Sequence, residues 1–496
     1  MGVIQRQTLK NTFLSGIGIA VGLYSNIKIY PLDLELKGLA EAIIKAAMLL
    51  GPPVLLGLPS VMVRFRPYVR GPNGAGLLFG RSLLLVTAAL LVTGGLLLLL
   101  GDPLLAWLRA SGLPLVMLED YRWPILGILA ATTYATIFSS HALNAHRIAV
   151  PVLFRDLTVK LGLPLLVLLT VYGHLSAEGF VMGLVGMFWV GALGLLGYIY
   201  IADLGKPEFR NFTFDGVTRR EVYDLAAFSL LGTLGSQMTI VVDTLSINWL
   251  LGNFDTAVYS FALFVCTVIL VPYRAVDTIA RPIIAQAWKD NEVSKISYLY
   301  RETAMVLYAV GALIYTGSLV CVPYLYELTA APGDLAAGYT ALVILGGAQL
   351  FDLMTSVNGV ILGFSDYYRW NIYLLLFLGV LMVICNYIFI TLLGLGITGA
   401  ALGTMTSMVL YNLGKVGLLW WKMRILPFSV NMVYTTLLLA AVGTAAYLLP
   451  FSAGPVINIL IRGGLITLCF LAVVRFTPLL PEVRTLLLKG PKALFR

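Results

Sequence analysis

Apolar residues along this chain gather into long runs separated by short polar connections. Two of these runs, 225–251 and 256–285, are joined by the turn Gly252-Asn253-Phe254-Asp255. Each is long enough to cross the hydrocarbon core of a bilayer, which takes about 20 residues of helix. Both carry charge: Asp243 in the first, and Arg274, Asp277 and Arg281 in the second. The last three follow an i, i+3, i+7 spacing and so share one helix face. A charge in lipid costs on the order of 3 kcal/mol or more, so such groups face protein interior or a watery cavity. The start of the chain repeats the plan. Runs 12–34 and 42–63 form a second pair of spans, carrying Lys28 and Lys45.

Extended to the whole chain, the pattern predicts about fourteen spans: 12–34, 42–63, 82–101, 122–144, 149–173, 179–201, 222–251, 256–285, 303–326, 337–363, 370–392, 396–421, 429–450 and 455–475. Connections are short throughout. The longest, near 202–221 and 286–302, are polar enough for interfacial helices, and none is large enough for a soluble domain. Gly51-Pro52-Pro53 and Pro59 predict a bend in span two, since proline removes a backbone donor.

Composition agrees. Of 496 residues, 59% are hydrophobic and only 11% charged, against about 25% charged in soluble domains. The chain reads as an all-α polytopic membrane protein. Its net charge of +9 reflects the positive-inside rule rather than nucleic-acid binding, since no basic arm or aromatic RNA motif accompanies it. With a cytoplasmic N-terminus, the inside loops collect Arg64, Arg66, Arg70, Arg147, Arg219, Arg220, Lys289, Lys422, Arg424 and others. The outside loops hold only Lys37, Arg109 and Arg122. Both termini are then cytoplasmic. The opening residues Gln5, Arg6 and Lys10 lead into a span without a small-residue cleavage site, which reads as retained. Cys266, Cys321, Cys385 and Cys469 lie in apolar spans without CxxC spacing, and His141, His146 and His174 lack metal spacing, so neither a cofactor nor a metal is expected.

Spans one to six (1–201) and seven to twelve (222–424) each open with two long helices. They read as parallel repeats related by an axis along the membrane normal. A cytoplasmic linker, 202–221, joins them, and 425–496 holds two accessory spans and the tail.

Two motifs bring a family into view. Leu56-Gly57-Leu58-Pro59-Ser60 with Arg64-Phe65 resembles the end of the second helix in bacterial polysaccharide flippases. Leu395-Gly396-Ile397-Thr398-Gly399-Ala400-Ala401-Leu402-Gly403-Thr404 resembles the small-residue turn that opens their twelfth helix. With the span plan, the whole chain resembles the Wzx-type oligosaccharide flippases of the MOP (multidrug/oligosaccharidyl-lipid/polysaccharide) superfamily. The resemblance implies two six-helix lobes in a V around a central cavity, plus two accessory helices. It implies alternating access in a bacterial inner membrane, a substrate of oligosaccharide on undecaprenyl pyrophosphate, and coupling to H+ or Na+. A monomer, with other polysaccharide-assembly proteins as possible associates, is the expected working unit.

Flipping such a headgroup requires cations and hydrogen-bond partners in a hydrated cavity, because the diphosphate is anionic and the glycan rich in hydroxyls. Candidate substrate-binding cations are Lys28, Lys45, Arg155, Lys160, Arg274, Arg281 and Lys415. Lys160 lies roughly 17 Å into its helix at 1.5 Å per residue, near mid-membrane. Arg155, Arg281 and Lys415 also suit snorkelling to the cytoplasmic face, as does Arg462 in an accessory span. Candidate ion-coupling carboxylates are Asp243, Asp277 and Asp352; Asp277 also suits pairing with Arg274 or Arg281. Two other readings compete. A multidrug exporter of the same superfamily would favour an acidic cavity, whereas the intramembrane charges here are mostly basic. A membrane enzyme of polysaccharide polymerisation or ligation would need a large outer loop with a nucleophile and base, and the outer loops are short.

Overall fold

The computed structural model describes residues 16–69, 73–110, 120–145, 147, 149–210, 213–450, 453–476 and 480–484. Gln5, Arg6, Lys10, Arg70, His146, Lys489, Lys492 and Arg496 lie outside them, as does the expected start of span one. Helices make up nearly all the regular structure. The first, α1, covers 16–32, relaxing into a π turn at Ser25–Ile29 and a 3-10 turn at Tyr30–Leu32. There follow α2 (Leu34–Leu55), α3 (Leu58–Phe65), α4 (Gly74–Ala110), α5 (Arg122–Asn144), α6 (149–171, with a π segment Leu153–Leu157), α7 (Ala177–Ile201) and α8 (Arg219–Leu250). The second part comprises α9 (Asn253–Thr267), α10 (Val271–Lys289), α11 (Val293–Glu327), the short α12 (Pro332–Ala336), α13 (Tyr339–Thr355) and α14 (Asn358–Phe364). It ends with α15 (Tyr368–Asn386), α16 (Gly396–Met423), α17 (Val430–Tyr447) and α18 (Pro455–Phe476). Among the described residues, ten helices are long and apolar enough to cross a membrane, or up to eleven when the bent pair α13–α14 counts as one span.

Side-chain oxygens start several of these helices by accepting an orphan backbone N–H. Asp33 accepts from Leu36 N at 2.9 Å, Ser176 from Gly179 N at 3.1 Å and Thr218 from Glu221 N at 3.3 Å. The Asp33 cap shows that span two begins at Leu34, eight residues before the apolar pattern suggested. Lys37, expected in an outer loop, is therefore a buried residue of α2.

Contacts divide the chain into two compact units, Met1–Ala257 and Val258–Arg496. In the first, α8 packs along α2, α5 bridges α2 and α7, and α6 lies against α7. Ile43, Ala47, Ile128, Leu129, Phe180 and Leu184 are sealed in its core. In the second, α16 packs on both α13 and α15, while α11 gathers α13, α17 and α18.

Span two breaks as expected, just before Pro59 in the first turn of α3 rather than at Pro52-Pro53. Pro52 and Pro53 sit inside an unbroken α2, and the chain turns at Leu56 and Gly57, both left-handed with φ 50° and 69°. At Gly57 a β-carbon would lie 2.1 Å from the Ala226 carbonyl oxygen, so α8 approaches the break backbone to backbone. Ser60 and Ser229 share a hydroxyl contact of 2.6 Å just beyond it.

The polar connections hold no interfacial helix among the described residues. The described stretch after α7 is irregular. It bonds to the end of α3 and the start of α4 through a Val69–Phe214 bridge, Asp215 N to Tyr68 O, and Glu208 N to Gly76 O. The stretch 286–302 is taken up almost wholly by α10 and α11 themselves.

Candidate functional site

A second break, in span ten, organises the second unit's polar interior. The apolar helix α13 ends at Thr355, and Ser356 takes φ 48° and ψ −124°, a conformation that L residues rarely hold. Such a conformation persists only where surroundings fix it. Here Ser356 N donates to the carbonyls of Asp352 and Leu353, and its hydroxyl donates to Thr303 Oγ1 on α11 at 3.3 Å. The chain resumes as α14 after a 46° bend. The break therefore sets Asp352, at the end of one helix, near Asn358, at the start of the next.

Helix α16 supplies the remaining groups from one face, since Tyr411, Asn412 and Lys415 follow i, i+1, i+4 spacing. Asn412 Nδ2 donates to Asp352 Oδ1 at 2.9 Å, and Asn358 Nδ2 donates to Asn412 Oδ1 at 3.2 Å. Lys415 Nζ donates to Asn358 Oδ1 at 3.5 Å and stands 3.9 Å from the centroid of the Tyr411 ring. Lys415 is 6% exposed and Asn412 fully buried. This Lys415 is thus no snorkelling residue; the Asn358 amide oxygen and the Tyr411 ring face hold its ammonium inside the unit, with Asp352 within electrostatic reach. On α10, Tyr273 lies within electrostatic reach of both Asp352 and Tyr411. Tyr273 also donates to Asp277 at 3.4 Å, and Asp277 pairs with Arg281 at 2.8 Å, the i, i+4 pairing its spacing suggested. Arg274, on the same helix, is exposed.

The first unit holds a separate ion pair in its interior. Lys37 bonds to Glu41 one turn along α2 and stands 4.3 Å above the Tyr30 ring centroid. Lys45, another turn on and half-buried, also lies within electrostatic reach of Glu41. Lys28 is exposed near the end of α1. Lys160 lies against α1: a β-carbon on Gly18 would sit 3.0 Å from its Nζ. Arg155 pairs with its neighbour Asp156 at 2.9 Å, both well exposed. Asp243 is buried in α8, 5% exposed. Sequence reading thus placed Asp352 and Lys415 in different roles where the structure joins them. It missed Lys37, Glu41, Asn358 and Asn412. The signal for Asn412 was present, one helical turn from Lys415 in an apolar span.

Two other polar side chains face backbone carbonyls. Arg462 does not snorkel: it is 4% exposed and its guanidinium donates to the carbonyls of Ala446, Tyr447 (2.8 Å) and Leu449 (3.1 Å), closing the C-terminal end of α17. His141 stacks on Phe79 at 4.2 Å, and its Nε2 faces the carbonyls of Leu204 and Gly205. Among the described residues no group of three or more His, Cys, Asp or Glu is placed to hold a metal ion.

No protein-family model matches this chain, and no curated protein matches it. Solved structures do. The lipid II flippase MurJ, in an inward closed conformation, superposes with a TM-score of 0.70 at 14% identity, covering 93% of this chain and 98% of that one. An inward-facing multidrug resistance MATE family transporter of the MOP superfamily gives 0.64 at 18% identity, covering 84% and 94%. A MATE in a bent conformation gives 0.51 at 17%, covering 88% and 98%. At these identities the likeness is one of fold, and the neighbours are flippases and transporters rather than enzymes. The chain is an all-helical, multi-pass membrane protein with the fold of MOP-superfamily transporters.

Proposed function

We propose that this protein flips a lipid-linked oligosaccharide, carried on a polyprenyl pyrophosphate, across a bacterial inner membrane by alternating access. Both termini face the cytoplasm. The observation that carries the reading is the excess of cations within spans on a fold shared with MurJ. Lys28, Lys45, Lys160 and Arg274 are the groups offered to the diphosphate and glycan. Arg155 and Arg281 are already paired with aspartates and contribute through those pairs. Asp352 is the carboxylate offered for ion coupling, with Asp243 in the other unit and Asp277 as further candidates.

A second reading, export of amphiphilic drugs, is supported by the MATE likeness and by the acids Glu41, Asp243 and Asp352 within spans, of which Asp243 is buried. One experiment separates the two. The full-length protein, reconstituted in proteoliposomes, is given a fluorescent polyprenyl-pyrophosphate saccharide, with ethidium as the parallel substrate. Gradient-driven flipping of the lipid, lost in K160A and R274A, supports the flippase. Ethidium transport without lipid flipping makes it a drug exporter, and transport of neither overturns both.

A further inference from the structure

The interior of the second unit contains a cage suited to a small cation, and a lysine already occupies it. The Asn358 amide oxygen stands 3.5 Å from Lys415 Nζ, and Tyr411 presents its ring face at 3.9 Å. Gly359 brings bare backbone to a third side: a β-carbon there would lie 3.3 Å from Nζ and 3.9 Å from Asn371 Oδ1. That amide oxygen is buried and, among the described residues, accepts no hydrogen bond. Asn412 links the cage to Asp352 by a 2.9 Å bond. Amide oxygens, with a carboxylate one hydrogen bond away, are the oxygen ligands a hard cation uses, and an aromatic face suits an ammonium as well.

We propose that the Lys415 ammonium is the resident cation of this site, that it bars sodium from Asp352, and that removing its charge turns the cage into a sodium site. Asp352 is then left to exchange protons. The titratable groups facing it are Lys415 and Tyr411 on α16 and Tyr273 on α10, with the Asp277–Arg281 pair beyond Tyr273. This use in coupling rests on the transporter reading; cation occupancy does not, and it is measured without substrate.

The test is thermal unfolding of the purified full-length protein in equal concentrations of sodium, potassium and choline chloride. A ligand that binds only the folded state raises the transition temperature as its concentration exceeds Kd. Wild type is expected to unfold at one temperature in all three salts. K415M and K415Q are expected to gain a saturable rise of several degrees in sodium over choline, and adding D352N is expected to remove it. A sodium-specific rise in wild type that D352N abolishes overturns the proposal. So does a folded K415M and K415Q pair with no sodium response. If neither lysine variant folds in choline, recovery of folded protein in sodium supports the proposal, and failure in every salt counts against it.

Discussion

Asn412 donates from Nδ2 to Asp352 Oδ1 at 2.9 Å, across from α16 to the broken end of α13. The same side chain accepts from Asn358 on the far side of the break. One buried carboxamide thereby fastens both halves of a bent span. Replacing it with Ala strands a carboxylate oxygen and an amide in the interior, at a cost of about 1–3 kcal/mol for an unsatisfied buried group. Asn412→Ala is expected to lower the unfolding temperature by several degrees and to impair transport. Asn412→Leu, with the same number of side-chain heavy atoms but no polar group, is expected to be equally harmful. An unfolding temperature equal to wild type in both would show that the amide does not hold the break.

The break in span two rests on close backbone approach. Gly57 combines φ 69° with a β-carbon position 2.1 Å from Ala226 O. A left-handed non-glycine residue alone costs on the order of 1–3 kcal/mol, and here α8 must also move. Gly57→Ala is expected to reduce folded yield sharply. Gly51→Ala is the control: Gly51 is helical, and a β-carbon there meets nothing within 4 Å. Helix propensity then favours Ala by up to about 1 kcal/mol. Detergent-solubilised yield and unfolding temperature are expected to fall in the first variant and hold or rise in the second.

Arg462 closes the end of α17 by donating to its last carbonyls. Arg462→Met keeps much of the apolar bulk but leaves these buried acceptors unserved, which costs about 1–3 kcal/mol. Lys offers a point charge without the planar fork and is expected to rescue in part. Hydrogen exchange of amides near Tyr447 is expected to speed up in Arg462→Met more than in Arg462→Lys. Equal protection in both variants and wild type would leave the arginine without this role.

Much of the architecture was legible because a bilayer leaves the backbone few choices: long apolar runs must become helices. The all-helical, many-span plan followed from periodicity, and so did Arg281 as one of two partners offered to Asp277. What periodicity hid was the origin of breaks and the partners of buried charge. Proline marked span two as bent, and the turn fell at Leu56-Gly57 before Pro59, where close approach to α8 fixes it, while Pro52-Pro53 stayed helical. Nothing in the apolar run around Ser356 announced a left-handed residue, because that strain is held by contacts with Thr303, 53 positions away. Lys37 was misplaced for a similar reason: an apolarity count ends a span at its first charges, but Glu41 and the Tyr30 ring make Lys37 tolerable inside.

That pairing gives a last prediction with a definite sign. The Lys37 and Glu41 side chains are 9% and 22% exposed, so each charge depends on the other for the solvation that water would supply. Removing one partner leaves an uncompensated charge and costs about 3–5 kcal/mol, whereas replacing both with apolar groups is often neutral. Lys37→Met and Glu41→Leu are each expected to destabilise the protein strongly, and the double variant to recover most of the loss. Coupling between the two in a thermal-unfolding double-mutant cycle is the measurement. If recovery in stability comes with lost transport, the pair is kept for its charge, with Lys45 beside it as the third member. If the double variant transports as well as wild type, the pair is a structural one, and Lys45 and Lys28 alone carry the first unit's contribution from this end. Additive losses in the cycle would mean that the two charges do not support each other at all.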